Sequence, residues 1–362
     1  MAALALLTLA NGPAGEASNS VDYAGDARAL DTIIAENYAY LDRFGDEIPQ
    51  SAVLTAEREA VHDSKSLLHY AEDRLASLAD HHAITGSSFR DSWGLVPSYA
   101  DLWVVQGDSG WVIDAVRADS PAQAANIEPG DRLVDVDGVP IDQAIAAFRK
   151  ALGLGTTADP DVSGYAARVL AAGRRDRERV LTIAGKAGER TLHLPNLYQV
   201  SRPERGPVSI ANAADGTVTM KFNDSLGDDA TIAAFDAAMR GLPDDAKLVI
   251  DLTDTGSGGN STVARAVMGW FVHAPRFYQK HRLIAEERAT GIVRQWIEQV
   301  LPRKDMHFSG PVEVRVGRWT GSMGEGMAIG FDAIGVRVCG HRMAGLRGAV
   351  YDFALPASGL TV

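Results

Sequence analysis

The stretch Val312-Glu313-Val314-Arg315-Val316-Gly317-Arg318-Trp319-Thr320-Gly321-Ser322-Met323-Gly324-Glu325-Gly326 reads as a strand, a turn and the start of a helix. Val312, Val314 and Val316 alternate with charged residues, the period of a half-buried strand. Gly317 to Gly321 breaks the run. From Met323 the apolar residues Met327, Ile329, Phe331 and Ile334 predict a helix over Met323–Ala333. A serine at such a turn can be a nucleophile, because the helix start places unpaired N–H groups and positive potential beside its hydroxyl. Gly321 and Gly324 leave room for a carbonyl to approach. Ser322 with Glu325 three residues later is also a capping box, and this segment alone favours the cap. The rest of the chain reverses that preference.

Upstream, Leu248-Val249-Ile250-Asp251-Leu252 is a strand that runs into Thr253-Asp254-Thr255-Gly256-Ser257-Gly258-Gly259-Asn260 and a helix. Glycine-rich loops of this kind aim backbone N–H groups into a cavity, which suits an anion or an oxyanion. No Gly-Lys-Ser/Thr follows, and Gly-x-Gly-x-x-Gly does not fit, so an oxyanion is the better match. Strands are expected at Val218–Phe222, Leu248–Leu252, Val312–Val316 and Val336–Cys339. Helices are expected at Asp229–Arg240, Ser261–Val272 and Met323–Ala333. This alternation predicts an α/β unit with parallel strand pairs. Residues 276–308 form a polar, arginine-rich interlude with a helix expected near Val293–Val300, a lid or part of a substrate channel.

Residues 94–142 change character. Short strands are expected at Leu102–Val105, Trp111–Val116 and Arg132–Val136, with turns at Ile127-Glu128-Pro129-Gly130-Asp131 and Asp137-Gly138. A helical insertion covers 143–178, and strands Val180–Ile183 and Thr191–Leu194 close the unit. Residues 26–80 are helical in pattern. Leu30, Ile33, Ile34, Tyr38 and Leu41 mark a first helix, and a second runs from about Ala56 to Leu78. The pattern stops at Asp80-His81-His82-Ala83.

The totals describe a globular protein of more than one domain. The chain has 362 residues, 46% hydrophobic and 23% charged, with net charge −12. Scattered Lys and Arg leave no nucleic-acid footprint, and no 18-residue apolar run predicts a transmembrane segment. A single cysteine, Cys339, excludes an internal disulfide and a cysteine metal cage; it reads as a buried, inert thiol. Ala2–Ala10 followed by small residues is similar to a secretory signal without a basic start. That predicts a periplasmic or secreted location, with the cytoplasm as the alternative.

The run Ser120-Pro121-Ala122…Ala125…Ile127…Gly130-Asp131…Leu133…Val136-Asp137-Gly138 resembles a PDZ domain of the bacterial protease type. PDZ domains bind extended peptide tails by strand addition. Together with the glycine-rich loop and Thr320-Gly321-Ser322-Met323-Gly324-Glu325, it makes residues 65–362 resemble the C-terminal processing (tail-specific) protease family of serine peptidases. The resemblance implies a multi-domain α/β fold: helical cap, PDZ-like β-rich domain and αβ catalytic core. The corresponding spans are 1–20 (signal remnant), 21–92, 93–200 and 201–362.

It also implies Ser322 as nucleophile, and an oxyanion hole from the N–H groups of Gly258, Gly259 and Met323. One branch of the family uses a lysine base about 25 residues after the serine; Arg347 stands there, and arginine keeps its proton. The branch that includes nisin-resistance and tricorn-like peptidases uses a histidine in Asp-x-His, matched by Asp80-His81-His82. His82 is then the general base, with Asp80, His81 and Glu325 in support. A polar cap or a metal site remain alternative readings of the histidine pair. No cofactor and no metal are implied, and the expected partners are polypeptides bound by their tails. Thr253 replaces the arginine usual after Asp-Leu, and the sequence stops at Leu360-Thr361-Val362, where relatives continue. Asp332 is a weak candidate for a third catalytic member. These departures keep open a second reading, a catalytically degenerate peptide-binding protein.

Overall fold

The computed structural model describes residues 20–154, 160–201, 204–243, 246–346 and 348–362. The signal-like stretch Ala2–Ala10 and Arg347 lie outside the described residues. No helix among the described residues is long and apolar enough to cross a membrane.

The first unit is helical: α1 (Tyr23–Asn37), α2 (Ala52–Glu59) and α3 (Ser64–Ala76). The single helix expected over 56–78 is therefore two helices. Asp63 accepts the Ser66 N–H at 2.7 Å and caps α3 afresh, so a local polar signal overrides the continuous apolar period. Leu30, Ile34, Leu67, Tyr70, Leu75 and Leu78 form its core. Leu355, 1% exposed, joins them from the far end of the chain. Residues 353–362 fold back on themselves through paired Phe353 and Val362 backbone bonds. Ala357 and Ser358 N–H groups donate to Asp26 at 2.8 and 2.7 Å, and Gly86 N–H donates to the Thr361 carbonyl at 2.8 Å. The segment thus braces the loop that follows α3.

The second unit carries β1 (Leu102–Gly107), β2 (Gly110–Val116), α4 (Pro121–Ala124), β3 (Arg132–Val136), β4 (Val139–Pro140), α5 (Ile141–Ala151), α6 (Pro160–Ala172), β5 (Arg179–Gly185) and β6 (Gly188–Leu194). The strands form an antiparallel sheet in the order β1-β2-β3-β5-β6, with β4 beside β3. Leu102, Val104, Ile113, Leu133, Leu181 and Ile183 bury the sheet against Ala166, Ala167 and Leu170 of α6. Each strand contributes alternate residues, as the period of two requires. The expected insertion at 143–178 is the α5–α6 pair.

The third unit is β7 (Val208–Asn212), β8 (Thr217–Phe222), α7 (Ala230–Arg240), β9 (Lys247–Asp251), α8 (Ser261–Met268), β10 (Arg276–Arg282), α9 (Ile284–Thr290), β11 (Gln295–Val300), β12 (Val312–Val316), α10 (Met323–Ala333) and β13 (Arg337–Gly340). The sheet order is β13-β12-β9-β8-β7, parallel except for β7. Met220, Phe222, Leu248, Ile250 and Val314 pack against Val263, Val267, Met327 and Phe331. The helix expected near 293–300 is instead strand β11, paired with β10 and stacking Trp296 on His281 at 5.1 Å. The helix of this interlude is α9, closed by Gly291 in the left-handed region. A short run of mixed apolar residues does not distinguish the two by period. Cys339 is half-buried rather than buried, and burial and the Glu313 carboxylate push its thiol upward in pKa.

The second unit is fastened to the loops of the third. Trp319 Nε1 donates to the Ala100 carbonyl at 2.8 Å, and its ring meets Trp103 edge-on. Arg318 pairs with Asp114 at 2.6 Å, and Arg117 pairs with Asp254 at 2.6 Å.

Candidate active site

Because β9 and β12 are parallel neighbours, the loops that leave them emerge side by side. Leu252 and Thr320 cross-brace those loops. The Leu252 carbonyl accepts from Thr255 Oγ1 at 2.9 Å and from Thr320 Oγ1 at 2.7 Å. Thr255 N–H donates to the Trp319 carbonyl at 2.8 Å, and Gly321 N–H donates to the Thr255 carbonyl at 3.3 Å. Both threonines are fully buried. Sequence reading passed over them; their signal is a threonine beside glycine after each of two parallel strands.

These braces present Ser322 at the start of α10 with φ +50° and ψ −115°. A non-glycine residue in that region is strained and must be held by its surroundings. Glu325, 3% exposed, does the holding. Its carboxylate accepts from Ser322 N–H at 3.2 Å, Gly345 N–H at 3.0 Å and Leu346 N–H at 2.6 Å. The cap and the nucleophile readings meet in one residue. The carboxylate caps the Ser322 backbone, while the Ser322 Oγ lies 3.0 Å from His82 Nε2.

His82 arrives on the turn after α3. Asp80 Oδ1 accepts the His82 backbone N–H at 2.9 Å, and Asp80 Oδ2 accepts from Tyr38 Oη at 2.8 Å. An aspartate bonded two residues ahead fixes such a turn. Burial lowers the His82 pKa below the ordinary histidine value, and the Asp80 charge offsets part of that shift. The imidazole is therefore neutral at pH 7 and able to take a proton. Among the described residues no hydrogen-bond partner meets His82 Nδ1. Asp332 does not serve there: it is exposed in the last turn of α10, the end opposite Ser322.

His81 turns elsewhere. Its ring stacks on Tyr165 of α6 at 4.5 Å, and its Nε2 accepts from Arg168 Nε at 3.0 Å. Burial, then the Arg168 charge, hold it well below the ordinary histidine range. His81 makes no hydrogen bond to His82; it anchors the turn to the second unit.

The glycine pair divides its tasks. Gly258 has φ +69° and abuts the serine: a Cβ there would lie 2.6 Å from Ser322 Cβ and 3.0 Å from Ser322 Oγ. Its N–H donates to the Thr255 carbonyl at 3.1 Å, so Gly258 supplies space and not an oxyanion donor. Gly259 N–H and Met323 N–H have no acceptor among the described residues. Met323 N sits 3.5 Å from the space above Gly258. A cavity of about 790 Å³ between α3, α5 and α6 reaches Asp80 and His81 but not Ser322.

Residues 112–153 match the PDZ domain family. No curated protein sequence matches the chain. Among solved structures, the photosystem II D1 C-terminal processing protease superposes with TM-score 0.54 at 16% identity, covering 94% of this chain and 86% of that one. Mature CPAF complexed with lactacystin gives TM-score 0.58 at 14% identity, with 94% and 88% covered. Mature CPAF alone gives 0.56 at 15% identity, with 94% and 87% covered. At these identities the likeness is one of fold, and it extends over nearly the whole chain. The chain thus has the multi-domain fold of the C-terminal processing proteases, with a PDZ-like unit between its helical cap and its α/β core.

Proposed function

We propose that the protein is a serine endopeptidase acting on unfolded or extended polypeptides. The observation that carries this reading is the 3.0 Å approach of His82 Nε2 to Ser322 Oγ at the start of α10. Ser322 Oγ attacks the scissile carbonyl as His82 takes its proton; His82 then returns the proton to the leaving amine. The N–H groups of Gly259 and Met323 are the donors available to the oxyanion. Asp80 positions His82, and Glu325 positions the Ser322 backbone. Substrate tails pair with β1, which among the described residues has a strand partner on one side only.

A fluorophosphonate probe tests the reading. Peptide mapping should place the adduct on Ser322, and His82→Ala should slow labelling at least about 100-fold. Labelling elsewhere, or none in the folded protein, contradicts it. The second reading, a peptide-binding protein without turnover, draws on the lack of a partner for His82 Nδ1 among the described residues. Saturable binding of a tail peptide with no cleavage would favour it.

A further inference from the structure

Away from Ser322, α2 and α3 bring one imidazole and two carboxylates together. His69 and Asp73 are four residues apart on α3, which puts them on one helix face. Glu57 reaches them from α2. His69 Nδ1 lies 3.6 Å from Glu57 Oε1 and 3.5 Å from Asp73 Oδ2, and one ligand atom from each residue falls within 4.8 Å of the others. A tetrahedral zinc site with bonds of about 2.0–2.1 Å spaces its ligand atoms about 3.3–3.4 Å apart. The two distances from His69 already lie within a few tenths of an ångström of that spacing. Glu57 Oε2 is shielded from solvent. Two facing carboxylates are costly unless a cation or a shared proton joins them.

We propose that Glu57, His69 and Asp73 form a zinc site that clamps α2 to α3 at the rim of the 790 Å³ cavity, which His69 and Asp73 also line. One nitrogen and two carboxylate oxygens suit Zn²⁺ better than Ca²⁺ or Mg²⁺, which favour all-oxygen shells. The exposed side of His69 leaves the fourth position to water. The site stands independently of the peptidase reading.

The test uses the full chain carrying Ser322→Ala, titrated with Zn²⁺ in competition with a chromophoric chelator. One zinc per chain is expected, with X-ray absorption showing four nitrogen and oxygen ligands. His69→Ala, Glu57→Gln and Asp73→Asn should each weaken binding at least about 100-fold, since even residues behind the ligands are worth 10–100-fold. His69 is the most exposed of the three, so its variant keeps the fold, and a melting curve without metal verifies this. No zinc uptake, or uptake equal in wild type and all three variants, overturns the site and leaves only a histidine–carboxylate ion-pair cluster.

Discussion

Substituting Gly258 by alanine probes the active-site geometry at its tightest point. The added Cβ would meet Ser322 Cβ at 2.6 Å, where carbon atoms ordinarily stay about 3.5–4.0 Å apart. Ser322 or the loop must retreat by about 1 Å to restore that contact. The His82 Nε2–Ser322 Oγ distance of 3.0 Å would then open beyond hydrogen-bonding range. A misplacement of about 1 Å costs on the order of 100-fold in rate. The φ of +69° adds a conformational penalty of about 1–2 kcal/mol to stability. Gly216→Ala separates the two effects, because Gly216 has φ +81° and nothing within 4 Å of its would-be Cβ. Initial rates of cleavage of an unfolded, fluorescently labelled protein, read beside thermal melts, give the comparison. Gly258→Ala should lose about 100-fold in rate, while Gly216→Ala loses similar stability and no rate. Wild-type rates from a folded Gly258→Ala protein would refute the placement of Ser322.

Other expectations follow from the same contacts. The rate should rise with pH through the His82 pKa, with its acidic midpoint below the ordinary histidine value; Asp80→Asn removes the charge that raises that pKa and should move the midpoint lower still. Glu325→Gln replaces one of two accepting oxygens with a donor facing N–H groups, and should cost roughly 2–4 kcal/mol by thermal or urea unfolding together with a fall in kcat. Leu355→Ala should destabilise the helical unit by about 2–5 kcal/mol in the same assay, although Leu355 follows Leu78 of the same core by 277 residues in the chain. His81 binds its proton less readily folded than unfolded, so acidification below about pH 6.5 favours unfolding; His81→Gln should flatten that dependence of the melting temperature.

The sequence disclosed those parts whose causes are local. The valine alternation before Gly317 and the glycine-rich run after Leu252 each signal a strand that ends in a loop of the candidate site, and both are readable. So is Asp80-His81-His82, because a break in helical period is visible without tertiary information. What stayed hidden depends on partners distant in the chain. Thr255 and Thr320 gain meaning only when β9 and β12 are known to be neighbours. Gly258 was expected to donate its N–H, but the tight turn through Thr255 uses that group. His81 faces Arg168 and Tyr165, which are contributed by a helix of the PDZ-like unit. The strand β11 follows from pairing with β10, and the docking of Leu355 beneath α1 follows from no periodicity at all. Glu57 and His69 lie on separate helices whose boundary at Asp63 the apolar pattern obscured.

The central claim is that Ser322 and His82 act as one catalytic unit. Cleavage of an unfolded model protein by wild type, Ser322→Ala, His82→Ala and the double variant, each shown to be folded, tests it most directly. The account predicts that each single substitution abolishes nearly all turnover and that the double variant is no slower than either, because groups acting as a unit are not additive. Full hydrolysis by Ser322→Ala would contradict it.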